Sequence, residues 1–134
     1  MHIPVITGLY AGLLAIVLLV LIVRVGMTRT RLRVSLMDGG NPEMAIAIRQ
    51  HGNFTEMVPM CLILIGILEL QGVSIYVIHA LGIVLLVCRL IHPFGLDFQK
   101  GETWQRAVGA GGTSLVLLVA ACWAVYRWIL SSGF

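Results

Sequence analysis

The sequence predicts an all-α membrane protein, a bundle of four transmembrane helices. Three observations carry that prediction. Hydrophobic residues make up 59% of the 134-residue chain and charged residues only 11%, with a mean hydropathy of +0.99. A soluble domain of this size has no interior large enough for so much apolar surface, so the solvent is lipid. The apolar residues gather into four runs, each long enough to cross about 30 Å of hydrocarbon at ~1.5 Å per residue. The basic residues gather where those runs end, so the net charge of +3 is a membrane-topology signal and not a sign of nucleic-acid binding.

The first span covers residues 3–23. It starts without a basic region and shows no small-residue cleavage site before its basic end, so it reads as a retained helix rather than a signal peptide. Gly8 and Gly12 would let a neighbouring helix approach, a spacing common by chance. Arg24, Arg29, Arg31 and Arg33 follow, and Asp38-Gly39-Gly40 breaks the chain.

Asn41-Pro42-Glu43 is a helix start, with an N-cap amide, proline at the first helical position and an acid in the first turn. The second helix runs over 42–70, longer than a membrane requires, so its first turns stand outside the hydrocarbon. Pro59 removes one backbone donor, which predicts a kink between Thr55 and Pro59. Gln71-Gly72 makes a tight turn into the third span, 73–91, which closes on Arg89-Leu90-Ile91-His92-Pro93. A polar connection with Asp97, Lys100, Glu102, Trp104 and Arg106 leads to the fourth span, 108–130. Tyr126, Arg127 and Trp128 suit the opposite interface.

Four spans place both termini on one side. Both long connections are basic and the short turn is not, so the positive-inside rule puts the connections in the cytoplasm and the termini outside. The whole chain, 1–134, reads as one transmembrane unit.

Function concentrates in Arg49, His51, Asn53 and Glu56. At about 100° per residue, Arg49, Asn53 and Glu56 share one helix face, and His51 points the other way. Charges on a membrane-entering helix face an interior or a wet cavity. Counting from the short turn puts Glu56, Asn53 and Arg89 at one depth, which predicts that Arg89 neutralises Glu56. Arg49, His92 and Arg106 lie nearer the cytoplasm, giving a net positive pocket open on that side. Cys61, Cys88 and Cys122 sit in apolar runs with no ligand spacing, so buried thiols are expected. His51, His79 and His92 likewise lack the spacing of a metal or haem site.

These residues resemble a known family. Arg49-Gln50-His51-Gly52-Asn53-Phe54-Thr55-Glu56-Met57-Val58-Pro59 is similar to the second-helix motif of the membrane-associated proteins in eicosanoid and glutathione metabolism (MAPEG). Arg89-Leu90-Ile91-His92 is similar to that family's Arg-x-x-His. The layout and the Asp38-Gly39-Gly40 lead-in are most similar to its small bacterial members. The resemblance implies a homotrimer in a bacterial inner membrane that binds glutathione as cosubstrate between subunits, with no metal. It also implies a transferase or peroxidase reaction on a lipophilic second substrate reaching the site from the membrane lipid. By the same resemblance, Arg49, His51, Asn53, Glu56, Arg89, His92 and, with looser spacing, Arg29 contact glutathione, and Arg106 is the catalytic arginine that stabilises its thiolate. Phe94, Leu96 and Gly109–Gly112 stand where catalytic eukaryotic members carry tyrosines.

Each residue also has a plainer reading. Arg89 and Glu56 form a structural ion pair, Asn53 bonds between helices, and Arg49 and Arg106 anchor at the interface. His51 contacts a neighbouring subunit, His92 caps a helix, His79 packs or hydrogen-bonds, and Arg29 is part of the topology signal. Two further functions therefore stand beside the enzyme. One is a non-catalytic member of the fold that binds lipid or a partner. The other is a small efflux transporter using Glu56 as a proton-coupled carboxylate.

Overall fold

A computed structural model describes residues 3–96 and 103–131. Asp97, Lys100 and Glu102 of the expected polar connection lie outside the described residues. The elements are α1 (Val5–Leu32), α2 (Pro42–Leu70), α3 (Ile75–Ile91), a 3₁₀ turn η1 (His92–Gly95) and α4 (Trp104–Ser131). Four helical segments are long and apolar enough to cross a membrane, and no strand occurs among the described residues.

α1 continues well past the expected span end at residue 23, so Arg24, Arg29 and Arg31 ride on its last turns and not in a loop. The reason is local: nothing in 24–32 breaks a helix except Gly26, and two arginines in the last turn complement the negative helix end. α1 stops at Arg33, which takes a left-handed conformation (φ 55°), and Val34 N–H bonds back to Arg29 O at 3.1 Å. The following turn uses positive φ at Gly39 and Gly40, with Gly40 N–H donating to Asp38 Oδ1 at 3.0 Å.

α2 has the bounds the sequence predicts. Asn41 Oδ1 accepts from Glu43 N–H (2.9 Å) and Met44 N–H (3.4 Å), and the helix is continuous through Pro59. Its far end turns at Gly72 (φ 73°), where Gly72 N–H bonds Glu69 O and Val73 N–H bonds Leu68 O. α3 begins two residues later than expected. α4 begins at Trp104, so Arg106 sits in its first turn.

α1 packs on α2 and α3, and α4 packs on α3 and α2. α2 and α3, joined by the tightest turn, therefore meet across the middle of the bundle. The core stacks Leu14, Leu21, Phe54, Cys61, Ile65, Leu68, Ile78, Leu85, Val116 and Ala120. Leu9, Ile16, Leu19, Ile63, Ile83, Val87, Leu115 and Leu118 are exposed, which in lipid is the favourable direction.

The end of the bundle that holds the start of α1 and the α2–α3 turn is tied by polar contacts. Pro4 offers α1 no side-chain cap; instead the buried Glu69 of α2 accepts from Ile6 N–H (2.9 Å), Thr7 N–H (2.7 Å) and the Thr7 hydroxyl (2.6 Å). A carboxylate at the positive end of a helix satisfies two otherwise orphan donors. Nearby, Tyr10 lies flat against Gly82, where a Cβ would come 2.3 Å from its ring. The Tyr10 hydroxyl and His79 Nδ1 share a 2.9 Å hydrogen bond. His79 is thus the hydrogen-bonded histidine the sequence suggests.

Candidate functional site

At the other end of the bundle, a cleft of about 800 Å³ opens between the end of α1, the turn after it, the first half of α2 and the start of α4. Its charged lining is Arg29, Asp38, Arg49, Glu56 and Arg106, and its apolar lining includes Ala45, Ile46, Ile48 and Leu96. Three guanidinium groups against two carboxylates leave a formal balance of 3 − 2 = +1.

The local chemistry explains each position. Residues 45, 49, 52 and 56 of α2 fall within about 60° of one another around the helix, so one face supplies the wall. Gly52 lines it with no side chain, and a Cβ there would still lie 3.9 Å from the Glu56 carboxylate. Arg49 and Glu56 pair at 3.2 Å with both side chains more than half exposed, so the bond is weak and easily exchanged for a ligand. Arg29 donates to Met37 O at 2.9 Å, which holds the turn against α1. Arg31 pairs with Glu43 outside the cleft. Arg106 is exposed in the first turn of α4, whose N-terminus Thr103 caps by accepting from Arg106 N–H at 3.3 Å.

The remaining expected site residues lie elsewhere. Arg89 is 1% exposed and does not line the cleft. The expected ion pair with Glu56 is not formed. Arg89 donates to Asn53 Oδ1 at 2.8 Å and to the Gly109 carbonyl, while Glu56 pairs with Arg49. Depth was the correct coordinate and angle was the missing one. Glu56 stands about 60° around α2 from Asn53, and that rotation turns it from α3 to the cleft. Asn53 is therefore an interhelical bond, one of the two roles the sequence allows.

A second rung lies one turn away: the buried Gln50 donates through Nε2 to Pro93 O at 2.7 Å. Gln50 Oε1 and Arg89 Nε are buried without a hydrogen-bond partner among the described residues. His92 is 4% exposed beneath Gly109, and its backbone N–H caps α3 on Cys88 O. His51 is half-buried, points away from the cleft face and makes no side-chain hydrogen bond among those described. Cys61 and Cys88 are buried free thiols, but Cys122 is exposed, against the expectation for all three. Among the described residues no cluster suits a metal ion.

The structure thus divides the sequence candidates in two. Arg29, Arg49, Glu56 and Arg106 share the cleft; Asn53, Arg89 and His92 share the interior behind it. Sequence reasoning missed Gln50, Thr103, Gly95 and the Gly109 carbonyl. Gln50 precedes Asn53 by three residues, the spacing of one helix face, and Thr103 stands immediately before a helix, the usual place of a cap. The two backbone contributions leave no trace in side-chain chemistry.

Comparison with known proteins agrees with this architecture. The MAPEG family profile matches residues 7–126. Inner membrane protein YecN of Escherichia coli K12 is 34% identical over 116 residues, covering 87% of this chain and 88% of that protein. The same protein from Escherichia coli O6:H1 strain CFT073 matches equally. No solved structure gives a significant match.

Proposed function

This chain belongs to the MAPEG family, and from that premise we propose that it is a glutathione-dependent membrane transferase or peroxidase acting on lipophilic electrophiles. The observation that carries the reading is the cleft itself, where Arg29, Arg49 and Arg106 converge from three helices beside an apolar wall. Glutathione carries two carboxylates, an ammonium group and a thiol whose reference pKa is about 8.5. Arg29 and Arg49 clamp the carboxylates through forked hydrogen bonds. Glu56, released from Arg49, takes the ammonium group. Arg106 faces the sulfur and favours its thiolate, the form that attacks an electrophilic carbon or peroxide oxygen.

The site faces the cytoplasm, because Arg24, Arg29, Arg31, Arg33 and Arg106 gather at the cleft end and only Arg127 at the other. Family membership also supports assembly as a homotrimer with the exposed apolar helix faces as the contact surface. The experiment is glutathione binding to detergent-purified protein, read by calorimetry and by ultraviolet thiolate absorbance. Binding with a thiolate band that Arg106→Ala abolishes supports the enzyme. Binding without any thiolate points to a non-catalytic role, and absence of binding sinks the enzyme and opens the transporter reading.

The non-catalytic reading has one observation in its favour. Gly109–Gly112 stand where the family resemblance leads one to expect a tyrosine, and at Gly109 a side chain would put its Cβ 2.6 Å from His92 Cβ, so that position has no room for one. Turnover of a model electrophile, with glutathione saturating, separates the two.

A further inference from the structure

We propose that Arg89, Gly95 and Gly109 form a cradle that fixes where Arg106 enters the cleft, with Arg89 a positioning residue and not a ligand contact. This rests on Arg106 acting as the thiolate-stabilising group. A guanidinium on a flexible stem goes where its backbone sends it, and the first turn of α4 is gripped at three points.

The first grip is Thr103. Its hydroxyl donates to Gly95 O at 2.7 Å and accepts from Arg106 N–H at 3.3 Å, so η1 and the Arg106 backbone share one cap. The second is backbone against backbone. A Cβ at Gly95 would stand 2.3 Å from Arg106 N and 2.9 Å from its Cα, a position no side chain can occupy. The third lies one turn on. A Cβ at Gly109 would meet His92 Cα at 2.8 Å and Cys88 O at 3.0 Å, so α4 presses against the end of α3. That closeness brings the Gly109 carbonyl to Arg89.

Arg89 then connects two of the three helices that carry cleft arginines, α2 and α4. One guanidinium nitrogen bonds Asn53 on α2, between Arg49 and Glu56 in sequence. Another bonds Gly109 on α4, three residues after Arg106. Fully enclosed and outside the cleft lining, Arg89 meets no ligand held there. It sets the separation of the groups that do.

Three measurements on the intact protein in detergent test this: hydrogen exchange over 103–110, glutathione affinity, and the pH titration of bound thiolate. The variants are Gly95→Ala, Arg89→Met, Arg89→Lys and Arg106→Ala. Gly111→Ala is the control, since a Cβ there meets nothing within 4 Å. The cradle predicts faster exchange at 103–110 and a thiolate fraction at neutral pH lower by on the order of tenfold in Gly95→Ala and Arg89→Met. Arg89→Lys recovers part of both, and the control keeps the wild-type thiolate fraction and exchanges no faster than wild type.

Unchanged exchange in Gly95→Ala overturns the cradle, and does so even if Arg89→Met fails to fold. Faster exchange with the thiolate untouched, while Arg106→Ala abolishes it, overturns the positioning role and leaves Arg89 purely structural. If Arg106→Ala itself keeps the thiolate, or wild type binds no glutathione, the reading of Arg106 fails instead.

Discussion

Arg89 donates to Asn53 Oδ1 at 2.8 Å, and no carboxylate among the described residues pairs with it. A buried cation is thus held by an amide and a peptide carbonyl, dipoles in place of a counter-charge. With Arg89 Nε already unpartnered among the described residues, the two bonds that remain matter the more, because lipid supplies no substitute.

Asn53→Leu removes the amide and leaves an Arg89 N–H unmet. The expected loss is about 2–3 kcal/mol, the cost of an unpaired charged donor, seen as a lower midpoint in thermal unfolding in detergent. Asn53→Asp supplies a carboxylate to the same nitrogen and keeps the fold. Equal loss in both variants would mean that the bond is incidental.

Glu69→Ala strips α1 of the acceptor for Ile6 and Thr7. N-capping oxygens are worth about 1 kcal/mol, and the charge at the helix end adds ~0.3–1 kcal/mol. Hydrogen exchange should rise at residues 6–9 of α1 and stay unchanged at 103–110. Glu69→Gln, with one acceptor oxygen left, falls between.

Gly82→Ala and Gly111→Ala should move in opposite directions. At Gly82 the added methyl meets the Tyr10 ring, an overpacking that costs about 1–3 kcal/mol and separates Tyr10 from His79. At Gly111 the methyl meets open space, and the helix gains roughly 0.5–1 kcal/mol from the loss of glycine's freedom. Paired thermal melts read the sign directly.

Within the cleft, Arg49→Ala should weaken glutathione binding by on the order of ten- to a hundredfold, the value of a charge-assisted bond. Both Arg49 and Glu56 are largely exposed, so wild-type affinity should also fall as salt is added. Titrations at low and high ionic strength check this, and salt-independent binding would argue against arginine clamps.

Much of the fold was legible in the sequence because lipid imposes simple rules. The bounds of α2 followed from Asn41-Pro42 at one end and Gln71-Gly72 at the other, where turn chemistry is explicit. α1 and α4 ran beyond their apolar cores because a membrane span and a helix are different objects. The hydrocarbon ends near Val23 by composition, but no residue tells the helix to stop before Arg33. At the site, depth is readable from the sequence and the finer rotation is not: Glu56 and Asn53 fall on one broad helix face by spacing, yet they serve two neighbours. The stretch Gly109–Gly112 reads in sequence as lacking a tyrosine, whereas the structure uses Gly109 for contact. A residue that acts through its peptide carbonyl and its lack of bulk is invisible to a search for reactive side chains.

Glu69 and Asn53 stand 16 residues apart on α2, about 24 Å at the rise of a helix, one clamped to α1 and the other to α3. A slip of α2 along its axis by a single residue would break both clamps together. The two ends of the bundle are therefore indexed to each other through one stiff rod, as two gears keyed to a common shaft.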